Sequence, residues 1–129
     1  MPDQYLYEYA VIRVVPKVER EEFINVGVVM YCQKLRFLDM RFEIDAARLR
    51  AFNCRLDPDE LQQYLEAFQQ ICLGRPAGGP IALLDTGARF RWLTATRSTV
   101  VQTSRVHPGF CTDASAQLSL LFEQFVSCH

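Results

Sequence analysis

The sequence offers few of the motifs that identify a chemical activity. None of its five cysteines forms a C-x-x-C pair, and its two histidines are too few for a histidine-based metal centre. It also has no glycine-rich phosphate loop, because RPAGGP (75–80) fits neither G-x-G-x-x-G nor the Walker pattern. We therefore predict no metal site and no cofactor, and no motif assigns catalytic residues.

Long apolar segments and an excess of charge of one sign are also missing. No apolar run approaches the roughly 20 residues that span a bilayer, and the start MPDQYLYEYAV lacks the basic and apolar regions of a signal peptide. The formal net charge is -1, so the molecule as a whole does not attract nucleic acid or anionic lipid. We expect a cytoplasmic protein with reduced thiols, without membrane contact and without a nucleic-acid partner.

The composition is that of a globular protein. The chain has 129 residues, of which 50% are hydrophobic and 22% charged. Folding a chain of this length buries about two-thirds of the surface that the unfolded chain exposes, which is enough for one core. We interpret residues 1–129 as a single domain.

Patterns of apolar residues predict β-strands in both halves of the chain. Apolar side chains on both faces of YLYEYAVIRVV (5–15) indicate a central strand covered on both sides. VGVVMYCQ (26–33) and LRFLDMRFEI (35–44) indicate a hairpin. STVVQTSRV (98–106) indicates a further strand, and HPG (107–109) a turn after it.

Other segments predict helices. The strongest begins after Asp57 as N-cap, with Pro58 at the first helical position, and ends at Gly74. Its apolar stripe is Leu61, Tyr64, Leu65, Phe68, Ile71 and Cys72. Shorter helices are indicated at 19–23 and 45–52, and Asp113 caps a closing helix. Residues 81–95 are ambiguous, because Phe90 and Trp92 alternate with arginines as in a strand while Phe90 and Leu93 would also share a helical face; we favour a strand or irregular structure.

Together these elements predict an α+β fold. We expect an antiparallel or mixed β-sheet of about four to five strands, with two to three helices packed on one face. Exposed edge strands of such a sheet would also allow a homodimer.

The polar segment TRSTVVQTSRVHPGF (96–110) is the candidate ligand site. The predicted anion-binding residues are Arg97, Ser98, Gln102, Arg105 and His107. In a regular strand Arg97 and Arg105 would lie about 26 Å apart, so both contact one anion only if the chain bends. The alternative is a surface strand whose hydroxyl groups face water.

Two further interpretations have less support. His107, Cys111 and Asp113 could act as base, nucleophile and acid, but such triads are defined by geometry and not by proximity in sequence. The three tyrosines of the first strand could stack on nucleic-acid bases, yet that strand lacks accompanying basic residues apart from Arg13. A basic surface would instead have to form around Arg48, Arg50 and Arg55. We favour a core or partner contact for the tyrosines.

Two long blocks resemble a known bacterial family. YEYAVIRVVPKVEREEFINVGVVMYC (7–32) and RFRWLTATRSTVVQTSRVHPG (89–109) are similar to the family of domain of unknown function 3037, and the resemblance covers nearly the whole chain. It implies recurring positions at Arg13, Asn25, Gly27, Trp92, Arg97, Ser98, Gln102, His107 and Gly109. Thr96 stands where many members carry proline. The resemblance implies no activity, but members are often encoded beside kinases resembling the HipA toxin.

The leading hypothesis is therefore a non-enzymatic interaction or regulatory protein whose partner, by resemblance only, is a HipA-like kinase. The alternative is a small enzyme or ligand-binding domain with an anion pocket near Arg97 and His107.

Overall fold

A five-stranded antiparallel sheet forms the centre of the fold. The computed structural model describes residues 3–16, 22–51, 56–97 and 99–127. The strands are β1 (Tyr5–Val14), β2 (Ile24–Cys32), β3 (Phe37–Phe42), β4 (Val101–Thr103) and β5 (His107–Cys111). Strand β3 pairs with β2 and β2 with β1, while the other edge of β1 pairs with both β4 and β5. The predicted α+β class and its sheet are confirmed.

Strand β1 is covered on both faces from Ala10 onward, whereas Leu6 near its start is 52% exposed, so the predicted cover is confirmed only for the second half of the strand. Successive side chains of a strand point to opposite faces. Ala10, Ile12 and Val14 belong to one buried cluster, whereas Tyr7 belongs to the other with Tyr5 and Tyr9 packed against it. Tyr7 therefore lies in the core, and Tyr5 and Tyr9 are partly buried against it, in agreement with the interpretation that favours a core contact over base stacking.

Strands β4 and β5 form one edge strand with a bulge between them. The register is Ile12 to Thr103 before the bulge and Tyr9 to His107 after it. Residues 104–106 thus oppose only two residues of β1, which leaves one extra residue. Ser104 holds the junction, because its N–H donates to the Val11 carbonyl (2.8 Å) and its Oγ accepts from the Val11 N–H (2.9 Å).

The predicted turn at His107–Gly109 is wrong, because these residues lie in β5. Pro108 fits an edge strand, where its missing N–H removes no bond to β1 if that position faces outward. Gly109 pairs with Tyr7, and a Cβ on Gly109 would lie 2.5 Å from the Tyr7 hydroxyl oxygen. Glycine therefore continues the strand here and makes room for an aromatic ring.

The helices cover both faces of the sheet. They are α1 (Ala46–Ala51), α2 (Pro58–Cys72), α3 (Thr86–Leu93) and α4 (Ala114–Phe122), the last continued by a π-helical turn at Glu123–Ser127. Buried residues of α1, α2 and α3 join the cluster of Ile12, while those of α4 join the cluster of Tyr7. The structure thus differs from the prediction of two to three helices on one face. The reason is that β1 and β2 present apolar side chains to both faces, and both must be covered.

The predicted starts of three helices are confirmed. Asp45, Asp57 and Asp113 accept hydrogen bonds from backbone N–H groups in the first turns of α1, α2 and α4. Helix α2 ends before Gly74, whose φ is +68°. Phe52 and most of the short helix predicted at 19–23 lie outside the described residues.

Helix α3 replaces the strand or irregular structure predicted at 81–95. Asp85 is its N-cap, since its carboxylate accepts from the Ala88 N–H at 2.8 Å. Phe90 and Leu93 are buried, and their spacing of three residues places them on one face of the helix. Phe90 stacks on Tyr31 of β2 with ring centroids 5.3 Å apart. The alternation of arginine and aromatic residues resembles a strand, but the capping aspartate and this contact stabilise a helix.

Candidate functional site

Arg97, the first of the predicted anion-binding residues, caps the end of α3. Its guanidinium donates to the carbonyl of Leu93 at 3.2 Å and to the carbonyl of Trp92. Its Cζ also lies 4.2 Å from the centroid of the Trp92 ring and 5.9 Å from that of Phe68. A cation at this end of a helix satisfies carbonyls that lack intrahelical partners.

The other predicted residues are distributed along β4 and β5. Gln102 pairs with Arg13 and donates from Nε2 to the Thr99 carbonyl at 2.8 Å. Arg105 is exposed within the bulge, and Ser98 lies outside the described residues. His107 pairs with Tyr9, and the two rings lie 5.5 Å apart.

The structure separates Arg97 from His107. Arg97 contacts Phe68, which belongs to the cluster under α2, whereas His107 contacts Tyr9, which packs against the cluster under α4. The two side chains therefore lie on opposite sides of the sheet and do not line one pocket. An anion-binding role of the individual residues stays a prediction.

Gln102 instead belongs to a row of polar side chains across three strands. Arg13 of β1 lies between Asn25 of β2 and Gln102 of β4, and each is directly opposite Arg13 in the register. We call Asn25, Arg13 and Gln102 the polar row. Asn25 donates from Nδ2 to the Phe125 carbonyl at 3.2 Å, so the row lies on the face covered by α4 and the turn that follows it.

The polar row contains buried polar atoms without partners. Arg13 Nε and Asn25 Oδ1 are inaccessible to solvent and have no hydrogen-bond partner within the described ranges. Burial lowers the pKa of Arg13 from its ordinary value, and no nearby charge among the described residues is a cause of that shift. A charge in a strand with apolar residues on both faces needs a partner, but the sequence does not show that the neighbours of Arg13 in the sheet are two amides.

A second feature, the Tyr64 groove, lies on the opposite side of the sheet. One cleft of about 300 Å³ is lined by Leu56, Asp57, Glu60, Leu61, Tyr64, Thr99, Val100 and Val101. A second cleft of about 160 Å³ is lined by Tyr64, Ala67, Phe68, Ile71 and Trp92. Tyr64 lines both clefts and is 45% exposed. The sequence placed Tyr64 in the buried stripe of α2, because helical spacing alone does not show where that stripe ends.

Charge is unevenly distributed around the Tyr64 groove. The segment 57–72 carries the carboxylates Asp57, Asp59, Glu60 and Glu66 and contains no lysine or arginine. Two of these carboxylates, on Asp57 and Glu60, line the larger cleft. The groove therefore combines an apolar surface with a negatively charged rim at the start of α2.

The residues considered as a catalytic triad do not converge. His107 and Cys111 lie four residues apart on β5, or about 13 Å along an extended strand. Cys111 is buried, and burial raises the pKa of its thiol, which disfavours the nucleophilic thiolate. Asp113 is engaged as the N-cap of α4. In the parts of the chain that the structure describes, no group of three or more His, Cys, Asp or Glu side chains is arranged to hold a metal ion.

Fold and site define a small α+β protein with a sheet covered on both faces, a polar row beneath α4 and an apolar groove beside α2. The chain belongs to the family described as Protein of unknown function (DUF3037), whose profile matches residues 9–126. No curated protein and no solved structure matches the chain. None of the helices within the described ranges has the length and apolar character needed to cross a membrane.

Proposed function

We propose that this protein is a non-catalytic interaction protein that binds a basic and apolar segment of a partner protein in the Tyr64 groove. The observation that carries the proposal is the exposed Tyr64 ring between two apolar clefts. Tyrosine and tryptophan are enriched among the residues that dominate binding energy, and Trp92 at the far end of the groove is 36% exposed. Concave apolar surfaces with a few polar groups are typical binding sites.

The charge of the groove supports a basic partner segment. An apolar side chain of the partner would enter the cleft between Leu61 and Val101, and a lysine or arginine beside it would meet Glu60. Complementary charges raise the association rate and exclude acidic competitors. The partner we propose is a HipA-like kinase in the bacterial cytoplasm, and this choice is supported by the family resemblance alone.

Co-expression with the kinase encoded by the neighbouring gene, followed by calorimetry on the purified proteins, tests the proposal. We expect Tyr64→Ala to weaken binding by at least tenfold, since truncating a central interface tyrosine costs about 2 kcal/mol. Glu60→Lys should weaken binding and reduce its dependence on salt. Leu120→Ala is the matched control, because Leu120 is an exposed apolar residue of α4 on the opposite face, and it should leave binding unchanged.

The identity of the partner and the location of the binding site can be tested separately. A labelled peptide of alternating arginine and leucine, measured by fluorescence anisotropy beside its glutamate and leucine counterpart, tests the groove without the kinase. If the kinase does not bind, but the basic peptide is preferred and this preference is lost in Tyr64→Ala, the groove is a binding site and the kinase is not its partner. Equal binding of both peptides, or binding that ignores Tyr64→Ala, would contradict the proposal. A homodimer through the edge strands would appear as self-association in sedimentation of the wild-type protein alone.

A further inference from the structure

The three side chains of the polar row are direct neighbours. Residues directly opposite each other on antiparallel strands have Cβ atoms about 4.5–5.5 Å apart and point to the same face. Arg13 is directly opposite both Asn25 and Gln102, so its side chain leaves the sheet between those of two amide residues. All three belong to strands, which hold side chains in fixed positions better than loops do.

Of the two unpartnered atoms of the polar row, one is a hydrogen-bond acceptor and the other is a donor. The Asn25 amide donates from Nδ2 to the Phe125 carbonyl, which can only accept, so its Oδ1 is left as an acceptor that needs a donor. The ring of Phe23 lies 4.0 Å from Arg13 Cζ and covers one face of the guanidinium. The in-plane N–H at Nε has no partner among the residues that the structure describes and needs an acceptor.

We propose that the polar row binds a hydrogen phosphate group, with an anionic oxygen accepting from Arg13 Nε and the P–OH donating to Asn25 Oδ1. A guanidinium with no offsetting carboxylate among the described residues favours an anion. An ionised carboxylate or sulfate supplies acceptors only, whereas phosphate near neutral pH retains a proton and supplies both an acceptor and a donor. Arg13 Nε and Asn25 Oδ1 together therefore favour hydrogen phosphate over sulfate, although the two anions have similar shapes.

This site is independent of the Tyr64 groove. The row faces the Phe125 carbonyl under the end of α4, while the groove lies beside α2 on the other side of the sheet. His107 is also outside it, since its partner Tyr9 lies four residues from Arg13 on β1, or about 13 Å away. Of the predicted anion-binding residues, only Gln102 belongs to the row.

Titrating the ¹⁵N-labelled wild-type protein with sodium phosphate and with sodium sulfate at equal ionic strength tests the site without any substitution. We expect phosphate to bind at least tenfold more tightly than sulfate and to shift the Arg13 Nε–H and Asn25 Nδ2–H₂ resonances. A third titration uses glycerol phosphate at pH 5.5, where a monoester retains one proton, and it shows whether the bound phosphate group belongs to an organic molecule or is the free ion. Binding at least as tight as that of inorganic phosphate indicates an organic phosphate, and weaker binding indicates the free ion.

Variants then assign the contacts. Arg13→Gln and Asn25→Ala should each lower phosphate affinity at least tenfold, with circular dichroism confirming that they fold. Arg75→Gln removes an exposed arginine that follows α2 on the other side of the sheet, and it should leave phosphate affinity unchanged. Equal affinities for phosphate and sulfate, unshifted Arg13 and Asn25 resonances, or a crystal grown in phosphate with only a water between these two side chains would each overturn the proposal.

Discussion

The contact between Gly109 and Tyr7 makes a quantitative prediction about the edge of the sheet. A Cβ on Gly109 would lie 2.5 Å from the Tyr7 hydroxyl oxygen and 2.8 Å from its Cε1, far inside van der Waals contact. Tyr7 is 6% exposed, so its ring has little freedom to move away. Overpacking of this kind costs about 1–3 kcal/mol. Replacing glycine by alanine also stabilises the protein by about 0.4–1 kcal/mol, because it lowers the conformational entropy of the unfolded chain. We expect Gly109→Ala to lower the free energy of unfolding by about 1–2 kcal/mol.

Urea unfolding of a double-mutant cycle measures this contact. Tyr7→Leu removes the hydroxyl and the distal ring atoms that a Cβ on Gly109 would meet, at the cost of some buried surface. In that background only the unfolded-state effect of Gly109→Ala remains, so the substitution should no longer destabilise the protein, and the cycle should give a coupling free energy of about 1–3 kcal/mol, which is the overpacking cost. Equal m-values for the four proteins would show that the unfolding transitions are comparable.

Additive effects would refute the reasoning. If Gly109→Ala costs the same with and without the Tyr7 ring, within about 0.5 kcal/mol, the ring is not what excludes a side chain at position 109. The same conclusion follows if Gly109→Ala stabilises the wild-type protein, because only the unfolded-state effect of the substitution would then remain.

Two further predictions concern α3 and the buried thiols. Arg97→Met keeps much of the apolar stem over Trp92 but removes the hydrogen bonds to the end of α3. Urea unfolding should therefore show a free energy of unfolding that is lower by about 1–3 kcal/mol. An unchanged midpoint would contradict the capping role. Burial raises the pKa of the Cys72 thiol above its ordinary value of 9.0, so the folded state retains this proton to higher pH than the unfolded state. The resulting stability is complete below pH 9 and is lost as the pH rises above it, and Cys72→Ala should flatten the decline of unfolding free energy measured between pH 8 and 10.5.

The elements that the sequence predicts well are those in which local and tertiary signals agree. In β1 the apolar residues on both faces predict burial, and in α2 the Asp57 cap, Pro58 and Gly74 mark both ends. Residues 81–95 lack this agreement, because the alternation around Phe90 and Trp92 favours a strand while Asp85 favours a helix. The contact of Phe90 with Tyr31 favours the helix over the strand. It joins residues about 60 positions apart, so local sequence patterns do not reveal it.

The candidate site was less accessible from the sequence than the fold. Arg13, Asn25 and Gln102 meet only through pairing registers, and β2 carries a register shift between its partners Ile12 and Arg13. A slip of one residue would turn an entire strand face the other way, so membership of the row cannot be derived from spacing. The polar residues of segment 96–110 predict one candidate site, but the bulge at 104–106 and the capping role of Arg97 distribute them over separate surfaces.

Strand β4 connects the two proposed binding surfaces. Val101 lines the larger cleft of the Tyr64 groove, and the next residue, Gln102, belongs to the polar row on the other face. Because consecutive residues of a strand cannot shift independently, a phosphate bound at Arg13, which pairs with Gln102, would also restrain Val101 in the wall of the groove. Linkage then requires that phosphate and the partner segment change each other's affinity by the same factor. Peptide affinities measured with and without phosphate, in the wild type and in Asn25→Ala, would give that factor, and equal values would show that β4 transmits nothing between the faces.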